Sequence, residues 1–268
     1  MSQRGFTLIE MAMVILLIGL IVSGGLFALA PVLDRAKTNQ TNATLDQVEN
    51  ALVLFAIRNS RLPCPTDGSL TSGNTYGVEI PQGGGSCTVA AANAIIPWKS
   101  LGLDESYSND AWGHRLSYWT SGMPGIGTGI VTNLNFLTRQ GKTFPTGPFI
   151  NVYDVVSLQA VTPDPTRTTA PNVNDQAAYV LVSHGKTGWY AWNKNGTSVP
   201  AQIVGGAKQC NSSPATCSIS GGVAAFASGG PIGVFPPTSN TYFDDLVRWR
   251  SPAFIIQLCG SGGPCGNP

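Results

Sequence analysis

Glu10 is the first residue whose type and position require a chemical explanation. It lies within residues 6–30, an almost wholly apolar run that exceeds the about 20 residues needed to span a bilayer. A carboxylate in hydrocarbon costs about 3 kcal/mol on insertion scales, so its presence there implies a cation that meets it. The other candidates for chemistry are few. His184 follows Ser183, but neighbours on a strand point to opposite faces, and no G-x-S-x-G elbow is present. His184 therefore reads as a turn histidine at a strand end, and His114 as a turn or edge residue; catalytic residues are expected to be none. Asp244 and Asp245, with Asn240 nearby, offer the oxygens a calcium ion requires, although a cap or turn role is simpler. No other cofactor is expected. Gly83-Gly84-Gly85 and Gly221-Gly222 lack a following Lys-Ser/Thr, so neither is a phosphate loop. The tryptophans Trp98, Trp112, Trp119, Trp189, Trp192 and Trp249 fill a core or a contact more often than they build a ligand platform.

The six cysteines are Cys64, Cys87, Cys210, Cys217, Cys259 and Cys265. None forms C-x-x-C and neither histidine stands at zinc-finger spacing from them, which argues against a zinc site. In a secreted chain they imply disulfides whose connectivity spacing alone leaves open. Nearest-neighbour pairing is expected: Cys64 with Cys87, Cys210 with Cys217, Cys259 with Cys265. Each would close a polar or Gly-rich loop and contribute on the order of 3 kcal/mol.

The elements that must position these groups begin with a helix. Leu45, Val48, Leu52 and Phe55 recur at three- and four-residue steps, which marks one buried helical face; Asp46, Gln47, Glu49 and Asn50 are expected on the solvent side. Arg61-Leu62-Pro63 should end the helix, since proline cannot continue the ladder. A continuous helix from Phe6 to Asn59 would measure about 80 Å, with Ser23-Gly24-Gly25 and Pro31 as expected points of bending. Residues 64–100 read as a connecting region without a regular element. Asp110 to Trp119 reads as a turn into a strand, and strands are expected at 149–158, 177–183 and 245–250 from β-branched and aromatic content. Between them lie long loops at 160–174 and 195–240, which are rich in Pro, Thr, Ser and Gly.

The stretch Arg4-Gly5-Phe6-Thr7-Leu8-Ile9-Glu10, followed by an apolar span, resembles the processing site of type IV prepilins and type II secretion pseudopilins. The resemblance implies that a prepilin peptidase cuts between Gly5 and Phe6 and methylates the new amine of Phe6. Phe6 and Glu10 are four apart and share a helical face. In a filament the Phe6 amine of one subunit would then neutralise Glu10 of another, since pairing offsets much of the cost of burying either charge. Two other readings of this terminus exist. One is a secretory signal with Arg4 as its n-region, residues 11–22 as its h-region and Ala28-Leu29-Ala30 as its cleavage site. Glu10 at the head of the h-region disfavours it, as does Pro31 just after the cut. The other is a plain membrane anchor with a tolerated, snorkelling glutamate. All three place the remainder outside the cytoplasm, because Arg4 holds the short head inside.

Weaker similarities extend further. Asp110-Ala111-Trp112-Gly113 through Tyr118 resembles the stretch that opens the sheet of major pseudopilins. Residues 179–188 and Phe243-Asp244-Asp245-Leu246 also resemble pieces of pilin-like proteins, and major pseudopilins hold calcium in a loop near the C-terminus. The implied architecture is α+β: a leader at 1–5, a transmembrane or filament-core helix at 6–30, an amphipathic soluble helix at 31–63, and an extracytoplasmic β-rich domain at 64–268 with an antiparallel sheet and disulfide-bonded loops. Composition agrees with this class, with 11% charged residues, 32 glycines and 19 prolines, a loop-rich profile unlike that of a cytosolic enzyme. A net charge of +1 without like-charge blocks argues against a nucleic-acid surface; Arg58 and Arg61 are only local basic spots. The expected function is a structural subunit of a type IV pilus or type II secretion filament. Its expected partners are other pilin or pseudopilin subunits, the prepilin peptidase, an inner-membrane assembly platform and, before assembly, the lipid bilayer. Its expected location is the bacterial inner membrane and then a periplasmic or extracellular filament. The alternative from another class is an adhesin or ligand-binding protein carried on a pilin stem, motivated by the long loops; a membrane-anchored hydrolase using His184 is a third option.

Overall fold

The computed structural model describes residues 7–123, 150–154, 177–202, 206–212, 225–229, 231, 242–251 and 254–255; side chains at 21–30, 151, 153, 154 and 225 are outside this description. The apolar run and the amphipathic segment after it form one helix, α1, Leu8–Asn59. Thr7 caps it in the extended conformation and forms a capping box with Glu10, which satisfies amide donors that no helical carbonyl can reach. At the other end Ser60 takes the left-handed conformation, φ 55°, and donates its N–H to the Ala56 carbonyl at 2.8 Å. The helix thus stops before Arg61-Leu62-Pro63. It continues through Ser23-Gly24-Gly25 and Pro31. One proline deletes a single amide donor, and the good helix formers on either side carry the ladder across.

Leu45, Val48, Leu52 and Ala56 are buried, while Phe55 is half-buried beneath Arg61, whose guanidinium carbon lies 5.0 Å from the ring centre. Asp46, Gln47 and Asn50 are exposed as expected, but Glu49 is not. It turns toward the sheet, where it accepts hydrogen bonds from Tyr179 Oη and Arg250 Nη2, each at 3.0 Å. These two partners repay the desolvation that would otherwise keep a glutamate on the outer face.

The helix packs on a five-stranded antiparallel sheet. Its strands are β1 (Thr66–Asp67), β2 (Ala94–Ile95), β3 (Ser117–Thr120), β5 (Tyr179–Ser183) and β7 (Leu246–Arg250), in the spatial order β1-β2-β3-β5-β7. Strand β5 lies between β3 and β7 and is buried throughout. Its alternation sends Tyr179 and Leu181 toward Leu45, Val48 and Leu52 of α1, and Val180 and Val182 into a second core with Trp119, Val152 and Phe226. That second core is covered by β4 (Asn151–Asp154) and β6 (Ala225–Ser228), which pair in parallel. The expected antiparallel sheet is present, and this parallel pair forms a separate two-stranded sheet beside it. Residues 64–100, expected to lack regular elements, contain β1 and β2, and β6 lies in a stretch expected to be loop. The strands expected at 177–183 and 245–250 start two residues and one residue later than expected. Of the one expected at 149–158, positions 149 and 155–158 are outside the described residues. A short helix, α2, spans Gly206–Cys210.

The connecting region is fixed by one covalent link and one ion pair. Cys64 and Cys87 form a disulfide. Beside it Arg61 holds Glu79 through two bonds, Nη1 to Oε2 at 2.7 Å and Nη2 to Oε1 at 2.6 Å, and the Cys64 amide donates to Glu79 Oε2 at 3.1 Å. Cys210 is also disulfide-bonded, while Cys217, Cys259 and Cys265 are outside the described residues. The Cys64→Ser, Cys87→Ser double variant is expected to lose about 3 kcal/mol, as the unfolded chain regains the freedom of that loop. Urea unfolding of the full chain in detergent should show an earlier midpoint and a steeper slope, because the unfolded chain without the cross-link exposes more surface; an unchanged midpoint would mean that the Arg61–Glu79 pair alone holds the loop.

Candidate functional site

At the start of α1 the side chain of Glu10 folds back on its own helix end. Thr7 N–H donates to Glu10 Oε2 at 2.9 Å, Thr7 Oγ1 donates to the same oxygen at 2.8 Å, and the Glu10 amide donates to Thr7 Oγ1 at 3.3 Å. The carboxylate thus sits over the helix N-terminus, where the macrodipole also favours an anion. Gly5 and Phe6, the expected processing residues, lie outside the described residues. The large side chains from Leu8 to Leu20, among them Ile9, Met13, Ile15, Leu16 and Ile18, are exposed. Nothing in the chain covers them among the described residues, and so long an apolar surface requires a cover of lipid or of other helices. Among the described residues no helix is long and apolar enough to cross a membrane; residues 1–6 and the side chains of 21–30, over which the apolar sequence extends, are not among them.

A second cluster joins residues far apart in sequence. Lys208, on α2, is 2% exposed. Its Nζ donates to Asp244 Oδ1 at 2.6 Å, to the His184 carbonyl at 3.2 Å and to Asp245 Oδ1. Asp245 Oδ2 accepts from Asn211 Nδ2 at 2.9 Å, and Asn211 clamps β6 through the amide and carbonyl of Ala227. Asp244 accepts from the amide and hydroxyl of Thr187 at 2.9 and 3.0 Å. The two aspartates considered for calcium are thus brought together, and the positive charge between them is an ammonium. Gly185 makes the approach fit: at φ 63° a side chain is strained, and a Cβ would overlap the Asp244 carbonyl. Burial is the largest influence on both partners. It works against the charge of Lys208, yet Asp245 and Asp244 outweigh it and hold the ammonium above its ordinary range. One ammonium shared by two carboxylates leaves net negative charge, and burial pushes the more enclosed Asp245 upward.

His184 directly follows the end of β5 and precedes a turn, as expected, and it is fully buried inside this cluster. Its Nε2 is 2.9 Å from Ser117 Oγ, while its Nδ1 stands 3.9 Å from Asp245 Oδ2 without a hydrogen-bond partner. Ser183 points the other way and donates to Asp110 Oδ2 at 2.7 Å, and Asp110 Oδ1 organises the following turn by accepting from the amides of Trp112 and His114. The order Asp245, His184, Ser117 has the residue types of an acid–base–nucleophile line. It lacks the acid–base contact, because 3.9 Å is no hydrogen bond, and none of the three exceeds 3% exposure, so a substrate could not reach Ser117. No spacing in the sequence announces this cluster, since Lys208 and Asp245 are 37 residues apart; the only local sign was the unusual pair Asp244-Asp245.

Burial, and then the charge of Lys208, depress His184 to about 3 from its ordinary 6.5. The unfolded chain binds a proton at 6.5 and the folded chain only near 3, so between these values the unfolded state holds more protons. Stability from this group is complete above pH 6.5 and falls by about 1.4 kcal/mol per unit as the pH drops toward 3. Asp110, Asp244, His114 and Lys208 also act on the same ring, so the difference between wild type and His184→Gln is the measurement. The variant is expected to show a flatter loss of urea midpoint between pH 6.5 and 4; parallel curves would mean that His184 is protonated in the fold.

Comparison with known proteins locates the family signal at the N-terminus. No curated protein and no solved structure matches the chain. Residues 1–26 match the family described as the prokaryotic N-terminal methylation motif. These are the residues that carry Glu10, its Thr7 cap and the start of the exposed apolar helix. The chain therefore carries the methylation motif that is the hallmark of type IV pilin and pseudopilin precursors.

Proposed function

We propose that the chain is a structural subunit of a type IV pilus or type II secretion filament. The motif implies processing by a prepilin peptidase and assembly with other pilin subunits. In the finer reading, cleavage after Gly5 removes residues 1–5. Residues 6–30 wait in the inner membrane and then enter the filament core through an assembly platform. Residues 31–63 join them to an extracytoplasmic domain formed by 64–268. The observation that carries the reading is the exposed apolar start of α1 with one carboxylate held over its N-terminus. Bare in water, that surface is unfavourable at about 25 cal/mol per Å²; among copies of itself it is covered, and Glu10 receives the amine freed by cleavage. The subunit needs no catalytic residue and no cofactor; in this reading Asp244 and Asp245 serve Lys208 rather than calcium.

Intact-mass spectrometry of the protein from its native membrane tests this. The expected mature chain begins at N-methyl-Phe6. A chain beginning at Pro31 would identify residues 1–30 as a secretory signal and end the filament reading.

A further inference from the structure

We propose that Lys208 and Asp245 become joined by an intramolecular amide bond, a covalent staple between α2 and the segment that leads into β7. The two side chains are in contact, 2% and 1% exposed, and neither has a route to water that would keep it an ordinary surface ion pair. Asn211 donates to Asp245 Oδ2 at 2.9 Å, and so stabilises the oxygen on which negative charge gathers when Asp245 Cγ is attacked. Asp244 Oδ1 lies 2.6 Å from the same Nζ, in place to take its proton. The Thr187 amide and hydroxyl hold Asp244 there.

The step balances without any further reagent. The ammonium of Lys208 gives one proton to Asp244 and another to the leaving oxygen of Asp245. The amine lone pair forms the Nζ–Cγ bond, the tetrahedral centre collapses, and the Cγ–Oδ1 bond breaks. Asp244 returns its proton, so ammonium and carboxylate become a secondary amide and one water. In open solution the reverse reaction would compete. Here the reactants are held in place, which is equivalent to effective concentrations on the order of 10⁵ M or more; the two carboxylates hold Lys208 as its ammonium, so the reactive amine forms as Asp244 Oδ1, 2.6 Å away, takes the proton. Neutral groups joined by a bond also remove two charges from the interior, which lowers the desolvation cost that the ion pair carries.

The test uses the full chain purified from its native membrane, with disulfides reduced and alkylated, digested and read by tandem mass spectrometry. The expected result is a branched species that links the peptides containing Lys208 and Asp245, lighter than their sum by one water. An Asp244→Asn chain should form the bond about a hundredfold more slowly or worse, the usual effect of losing a general base. An Asp245→Asn chain should reach the identical product by losing ammonia. Recovery of the wild-type Lys208 and Asp245 peptides only as linear species, with the Lys208 amine open to acetylation after denaturation, overturns the proposal. Since the wild-type chain decides, a variant that fails to fold does not rescue it.

Discussion

If the chain is the proposed filament subunit, Glu10→Ala is expected to leave cleavage after Gly5 intact and to lower entry into filaments by about a hundredfold or more. Removing one partner of a buried ion pair typically costs about 3–5 kcal/mol, and about 1.4 kcal/mol is a factor of ten in an equilibrium. Without Glu10 the amine of Phe6 would enter the apolar filament interior unpaired. The Thr7–Glu10 capping box complicates this variant, because alanine also removes the cap. That local loss is only about 1 kcal/mol. Glu10→Gln separates the two contributions. Glutamine can still accept from Thr7 in a capping box, yet it carries no charge. If pairing with the amine drives assembly, Gln fails nearly as badly as Ala; if the cap is what matters, Gln assembles like wild type. Sedimented filament fractions, measured against cleaved subunit in the membrane, give the answer, and normal incorporation of both variants would defeat the pairing mechanism.

The second large effect is expected at Lys208. Methionine there fills a similar volume and can neither carry the ammonium nor form the amide, which leaves Asp244 and Asp245 as free carboxyl groups facing one another, with Asp245 only 1% exposed. An uncompensated buried charge costs about 3–5 kcal/mol, which for a domain of this size lowers the melting midpoint by about 10 °C. The loss should depend on pH. Asp245 already binds a proton more readily than an ordinary aspartate because of burial, and removing Lys208 strengthens that tendency, so the variant should recover toward wild type as the solution is acidified. Asp245→Asn added to Lys208→Met should restore part of the midpoint at neutral pH. A Lys208→Met chain that melts within a degree or two of wild type would show that the cluster contributes nothing to the fold.

The exposed start of α1 and the polar cluster make opposite demands on the chain, and they were legible to different degrees. The motif at 4–10 is contiguous, and its chemistry is local: a carboxylate in an apolar run and a threonine three positions earlier to cap the helix. The period of Leu45, Val48 and Leu52 announced the face that packs on the sheet. Tyr179, Val180 and Val182 announced the buried strand β5, because aromatic and β-branched side chains fit a pleated surface. Strands β1 and β2 have two residues each, too few for any period, and β6 is built around small alanines whose preference favours other structures. Such strands exist because neighbours pair with them.

Glu49 shows the limit on the helix. Its place in the periodic pattern assigns it to solvent, and only the arrival of Tyr179 and Arg250 from elements more than a hundred residues away makes an inward carboxylate tolerable. His184 and Lys208 follow the same logic. Taken alone, each is a polar residue that burial penalises by several kcal/mol, so local sequence places both at the surface. What the amino-acid sequence determined by itself is the N-terminal motif, the long helix and the strands whose composition is strongly β, because those depend on groups within a few residues of one another. What only the tertiary structure decided is which polar groups go inside, because a buried charge is stable only beside its partner, and the partner is brought by the fold.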